Sequence, residues 1–174
     1  TILGANVSTN MTTGSSNTLM GYAAGGQFVE ATQNVGIGYQ AMASNGNAAD
    51  ATVTNNVCIG YRAGYIMEDG AANNVAVGAN AGDAITTSSN NTLVGNGAGG
   101  ALATGDGQNV IVGRNAGDSS TAAMVKCVYI GHDTGGQMDA GGFNTAVGFA
   151  SRVGASTGND AAYNTALGYQ TLLA

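Results

Sequence analysis

Apolar residues recur along this chain in short triplets, each opened by a polar residue and closed by a glycine. The triplets read Thr18-Leu19-Met20, Val35-Gly36-Ile37, Val57-Cys58-Ile59, Val75-Ala76-Val77, Thr92-Leu93-Val94, Val110-Ile111-Val112, Val128-Tyr129-Ile130, Thr145-Ala146-Val147 and Thr165-Ala166-Leu167. The aligned glycines are Gly4, Gly21, Gly38, Gly60, Gly78, Gly95, Gly113, Gly131, Gly148 and Gly168, at intervals of 17, 17, 22, 18, 17, 18, 18, 17 and 20 residues. A repeat of this length makes each copy one layer of a stacked array. The pattern predicts an all-β chain: a parallel β-solenoid, or β-roll, of about ten coils of 17–22 residues, as a single domain over residues 1–174. Each coil is expected to hold a short strand, a glycine turn, a second short strand and a connector.

Four residues before the glycine stand Asn17, Asn34, Asn56, Asn74, Asn91, Asn109, Asn144 and Asn164, with Cys127 breaking the column. Asparagine suits a corner, and identical amides stacked at ~4.8 Å form a hydrogen-bonded ladder. The first and third triplet residues lie two apart and share a strand face. The third is bulky and apolar in every copy, so this face is expected to point into the coil. The middle residue varies from Gly36 to Tyr129 and is expected to point outward, as an apolar strip suited to contact with another subunit. After the glycine comes a column of rings, Tyr22, Tyr39, Tyr61, Phe149 and Tyr169, which marks a candidate subunit interface. Arg114 and His132 share that column. Three after the glycine the residue is always small, from Ala24 to Thr171, which implies a tight interior position.

Connectors such as 27–33, 44–54, 66–72, 84–90 and 118–126 vary in length and carry most of the acids, including Glu30, Asp50, Glu68, Asp69, Asp106, Asp118, Asp139 and Asp160. Loops on one side of a solenoid commonly carry recognition, so they are its default place here.

Composition narrows the function. Thirty glycines, no proline or tryptophan and 8% charged residues suit a narrow interior rather than a thick core. A net charge of −6 with four basic residues argues against a nucleic-acid partner. No run reaches the ~18 apolar residues of a membrane span. Cys58 and Cys127 fall four coils apart, roughly 19 Å at the coil spacing, beyond disulfide reach. The chain starts and stops inside a repeat without atypical capping units, so a piece of a longer polypeptide, or a unit capped by partners, is expected.

Chemistry finds little purchase. Gly95-x-Gly97-x-x-Gly100 matches a dinucleotide fingerprint, but no amphipathic helix follows it, so no cofactor is expected. His132 is the one histidine, so a multi-histidine metal site is excluded; its neighbour Asp133 is expected on the opposite strand face. Sugar hydrolysis would need paired carboxylates, for which Asp50 with Glu68 or Asp69 are the candidates, but no aromatic platform accompanies them. A flat threonine array of the kind that binds ice is not expected, because threonine shares the column assigned inward. The chain reads as a non-enzyme.

The stretch Asn74-Val75-Ala76-Val77-Gly78-Ala79-Asn80-Ala81 resembles the head repeats of bacterial trimeric autotransporter adhesins. Asn144-Thr145-Ala146-Val147-Gly148-Phe149 and Asn164-Thr165-Ala166-Leu167-Gly168-Tyr169-Gln170 look still more like repeats of bacteriophage tail fibres. The resemblance implies β-rolls assembled as homotrimers on a virion or cell surface, with a host-cell glycan or protein as partner. In many such fibres an intramolecular chaperone follows the repeats. Expected function is therefore a structural or adhesive fibre segment, most naturally of a phage tail fibre, with a bacterial surface adhesin or extracellular filament as the alternative.

Overall fold

A computed structural model of the chain describes residues 1–44, 52–100, 102, 105, 107–119, 124–136, 141–152 and 162–171. It is a parallel β-solenoid, and the described residues contain no helix. Ten strands, β1 (Ile2–Leu3), β2 (Thr18–Met20), β3 (Val35–Ile37), β4 (Val57–Ile59), β5 (Val75–Val77), β6 (Thr92–Val94), β7 (Val110–Val112), β8 (Val128–Ile130), β9 (Thr145–Val147) and β10 (Thr165–Leu167), form one sheet in sequence order. Its register follows the glycine intervals: Val35 pairs with Val57, Val57 with Val75 and Val75 with Thr92. Extra residues in the longest repeat are absorbed without a slip. Like therefore stacks on like along the whole rod.

The glycine row explains why register is so strict. From Gly4 to Gly168 these residues hold φ between 127° and 141°. A Cβ on Gly4, Gly21, Gly38, Gly60, Gly78, Gly95, Gly113, Gly131 or Gly148 would strike the backbone carbonyl of the corresponding glycine one coil on. Only a residue without a side chain lets the two backbones meet.

The asparagine row is the second lock. Asn74 Nδ2 donates to Asn56 Oδ1 at 3.1 Å and to the Ser88 carbonyl at 2.9 Å. Its own Oδ1 accepts from the backbone N–H and the side-chain amide of Asn91, both at 3.0 Å. The relay runs unbroken from Asn17 to Asn109. Asn109 Oδ1 still receives the Cys127 N–H at 2.8 Å, but the thiol passes on no amide, and the ladder resumes between Asn144 and Asn164. These amides are buried except at the last, partly buried Asn164, so their bonding to one another and to backbone groups is what makes the interior polar row tolerable.

Two expectations are corrected here. The middle residue of each triplet points inward: Leu19, Gly36, Cys58, Ala76, Leu93, Ile111, Tyr129, Ala146 and Ala166 are all buried. Both flanking columns face outward, and none of their members is buried. The interior volume is shared, so it tolerates variation that a solvent-facing reading would ascribe to the surface. Leu19 leans under Gly36, where a Cβ would lie 2.9 Å from its Cδ2, and Gly135 gives room to the Tyr129 ring. Connectors fill what remains: Phe28, Val53, Met67, Ala71, Ile85, Leu102 and Met124 belong to the core, so these segments are more than solvated turns.

The second correction concerns the expected second strand. Residues after the glycine run through turns instead, with left-handed backbone at Gln40, Arg62, Asn80, Asn115 and Asp133 (φ 51–55°). Each turn is tied to the coil before it, as Gln40 N–H donates to the Tyr22 carbonyl at 2.8 Å. Among the described residues, β-pairing outside the sheet consists of isolated bridges ahead of the asparagines, such as Thr32 with Thr54 and Gly107 with Val125. The small residues three after the glycine are interior as expected, from Ala24 to Ser151.

The cysteines are free and buried. Burial pushes the Cys58 thiol from its ordinary 9.0 up to about 12. Burial likewise raises the Tyr129 phenol, whose hydroxyl has no aligned hydrogen-bond partner and has the Cys127 thiol and Asn144 amide as polar neighbours.

Replacing Gly78 by alanine should cost at least ~3 kcal/mol, since backbone strain adds to a carbonyl collision. Gly70→Ala, at φ 90° with nothing within 4 Å, should cost only ~1 kcal/mol. Equal losses in urea melts would refute the close-contact account. Alkali should also destabilise the fold. An unfolded Cys58 ionises near 9.0 and the folded thiol only near 12, so unfolding releases a proton in between. Stability is full below pH 9 and should fall by ~1.4 kcal/mol per pH unit above it, with Tyr129 adding to the slope at higher pH. Cys58→Ala should flatten the early part of that fall; a urea midpoint unchanged from pH 8 to 10 would contradict it.

Candidate interaction surface

Three surfaces emerge from the columns. The first is the outer face of the sheet, made by residues one and three of each triplet. No position on it carries a charge. Ile59, Val94, Val110, Ile130 and Leu167 are exposed, and Val35, Ile37, Val57, Val75 and Val77 are half-buried. Nine strand intervals at ~4.8 Å by a ~7 Å width give a strip of about 300 Å².

The second surface is the ring row beyond the glycines. Tyr22, Tyr39 and Tyr61 stack with centroids 5.3 Å apart, and His132, Phe149 and Tyr169 form a second stack at 5.2 and 5.5 Å. Ala79, Asn96 and Arg114 interrupt the row between them. Stacking covers the ring faces and leaves the edges outward, with Tyr22, Tyr39, Tyr61, Phe149 and Tyr169 all exposed. Together with the sheet face this forms an apolar surface as large as any found on typical monomers, ~300–600 Å². Phe143 and Tyr163 stack separately at 4.8 Å, one residue ahead of the asparagines.

The third surface is a groove between the residues two after the glycine and those five or six after it. At its start lies a cleft of about 280 Å³ lined by Asn6, Thr9, Ala23, Gly26, Gln27, Gln40, Ala43 and Ser44. Outside its lining, Arg62 donates from Nε to Gln40 Oε1 at 2.9 Å and lies over the Tyr65 ring. Farther along, half-buried Asp83 has its carboxyl raised by burial against the opposing pull of Arg62. A second cleft of about 230 Å³ follows, lined by Asp118, Ser119, Asp133, Gly136 and Arg152. The clefts were not foreseen from sequence. Reading the two columns as the walls of one trough would have pointed to them.

The other sequence candidates separate clearly. His132 and Asp133 lie in a turn rather than on a strand, and Nδ1 comes within 3.0 Å of Oδ2, although not aligned as a hydrogen bond. That corrects the expected opposite facing. Arg114 Nη1 meets His132 Nε2 at 3.0 Å. Because a guanidinium only donates, Nε2 must accept and the neutral ring carries its proton on Nδ1, towards Asp133. Asp69 Oδ1 accepts the Thr52 N–H at 2.9 Å; Asp50, its suggested carboxylate partner, lies outside the described residues, as do Asp106, Asp139 and Asp160. Gly95 to Gly100 run from a strand end into turns, with no helix N-terminus to hold a pyrophosphate. No group of three metal-binding side chains occurs among the described residues, and no helix there is long and apolar enough to cross a membrane. Thr18, Thr92, Thr145 and Thr165 face outward after all, but five valines share their column and the other outward column holds no threonine.

No family model, curated protein or solved structure matches the chain.

The facing of the strands has a direct test. Val77→Asp should leave thermal unfolding of the isolated coil stack nearly unchanged, whereas Ala76→Asp, one residue away, buries a charge and should cost several kcal/mol or prevent folding. The reverse order would restore the inward reading of the flanking columns.

Proposed function

We propose that the chain is a non-enzymatic segment of a homotrimeric fibre, of the bacteriophage tail-fibre kind, that spaces or presents a host-cell-binding surface. The observation that carries this reading is the uncharged outer sheet face, on which Val, Ile and Thr repeat in strict register beside a row of ring edges. A solvated face needs no such regularity. A surface that meets copies of itself does, because a cyclic assembly buries the same strip in every subunit. The resemblance of the Asn-Thr-Ala-Val-Gly-Phe and Asn-Thr-Ala-Leu-Gly-Tyr motifs to tail-fibre repeats agrees with it.

The mechanism is mechanical and multivalent. Backbone and amide ladders make the rod stiff along its axis. Threefold presentation multiplies weak contacts, and linked sites can raise avidity by ~10²–10⁴ over a single one. On this reading the acids of the connectors and the His132–Asp133 pair serve the surface and do not cleave a substrate.

Light scattering on the purified protein should give three times the 17.0 kDa chain mass, independent of concentration. The double variant Ile59→Lys, Val77→Lys should run as a folded monomer. A wild-type monomer would sink the trimer, and open-ended polymers would point to a filament instead.

A further inference from the structure

The neutral cleft across the first three coils combines a polar lining with an unmet hydrogen-bonding group. Ser44 is 5% exposed, and its Oγ has no hydrogen-bond partner. Buried hydroxyls are nearly always bonded, so an orphan one that lines a cleft marks a place for a ligand's polar group. We propose that this cleft binds a neutral sugar residue of a glycan. The proposal names a ligand for the fibre and rests on that reading for its biological setting.

The bonding already made dictates what the cleft still offers. Arg62 can only donate, so Gln40 turns Oε1 towards it and keeps both Nε2 hydrogens free for the cleft. Asn6 Nδ2 donates to the Tyr22 hydroxyl at 3.2 Å, which leaves its Oδ1 as an acceptor. Thr9 Oγ1 donates to the Gly26 carbonyl at 2.9 Å, which leaves its lone pairs. Ser44 can do either. Donors and acceptors thus stand side by side over a floor of Ala23, Gly26 and Ala43. Sugar hydroxyls, which both donate and accept, satisfy such a set. A carboxylate or phosphate only accepts, and would face the Asn6 and Thr9 oxygens with no cation in the lining.

Size agrees: about 280 Å³ sits at the small end of ligand sites and suits one or two sugar rings. No ring lines the cleft, and Tyr39 has Tyr22 on one face and Tyr61 on the other, so binding relies on hydrogen bonds rather than stacking and should be weak for a single site. The second cleft serves as an internal comparison, because Asp118, Asp133 and Arg152 charge the same trough and make it a poor match for the same ligand.

The test is a titration of the ¹⁵N-labelled full chain with the methyl glycosides of glucose, galactose and mannose, and with glucuronate as the charged counterpart. At least one neutral glycoside should produce saturable shifts at the Asn6, Gln27 and Gln40 side-chain amides and at Ser44. Gln40→Ala should weaken that binding about tenfold. Its fold is safeguarded because Ala23 already holds the same turn position at φ 53°. Ser44→Leu should abolish binding by filling the cleft. Absence of saturable shifts with every neutral glycoside, tighter binding of glucuronate, or unchanged binding by Gln40→Ala would each overturn the proposal. Light scattering on the same samples keeps the two readings apart: a trimer without sugar shifts removes the site alone, and a monomer that binds sugar removes the trimer alone.

Discussion

Everything in this molecule follows from two backbones passing too closely for a side chain. At each repeat a glycine lies against the carbonyl of the glycine one coil on, in a conformation with φ near 130–140°. Such a contact permits one register, so all other columns inherit it. Asparagine meets asparagine, ring meets ring, and the connectors absorb every difference in length. The ladder of buried amides then reinforces a register the glycines have already imposed.

That division of labour also decides which positions vary. Inside the coil, what matters is total volume, and it is shared between the triplet's middle residue and the connector. Gly36 can therefore neighbour Leu19, and Tyr129 can occupy a place that Ala146 holds in the next coil. On the outer face there is no partner within the chain to compensate, and Val, Ile, Leu, Met and Thr recur with little change. Constancy here belongs to the surface and variation to the core, opposite to the ordinary expectation.

This explains how the sequence reading divides. The parallel stacking, the strand register, the glycine row, the asparagine ladder and the small interior column were all legible, because each is a repeated demand for one residue type. The direction of the strand faces was not. Period-two alternation assigns Val75 and Val77 to one side and Ala76 to the other, but symmetry leaves the sides unnamed. The left-handed turn residues Gln40, Arg62 and Asn80 gave no sign of themselves either, since their conformation is held by bonds to the preceding coil and not by composition. The neutral cleft was hidden for a related reason: its walls come from three coils, and no single repeat contains it.

The amide ladder has one more consequence. From Asn34 to Asn109 each asparagine donates one amide hydrogen to the Oδ1 of the asparagine before it, so the side-chain relay runs one way throughout. Aligned dipoles polarise one another and sum, as peptide dipoles do along a helix. The rod thus has an electrical direction from Asn17 to Asn109, and Cys127, which donates its backbone N–H to Asn109 Oδ1 but has no side-chain amide to carry the relay on, divides it into two separately polarised lengths.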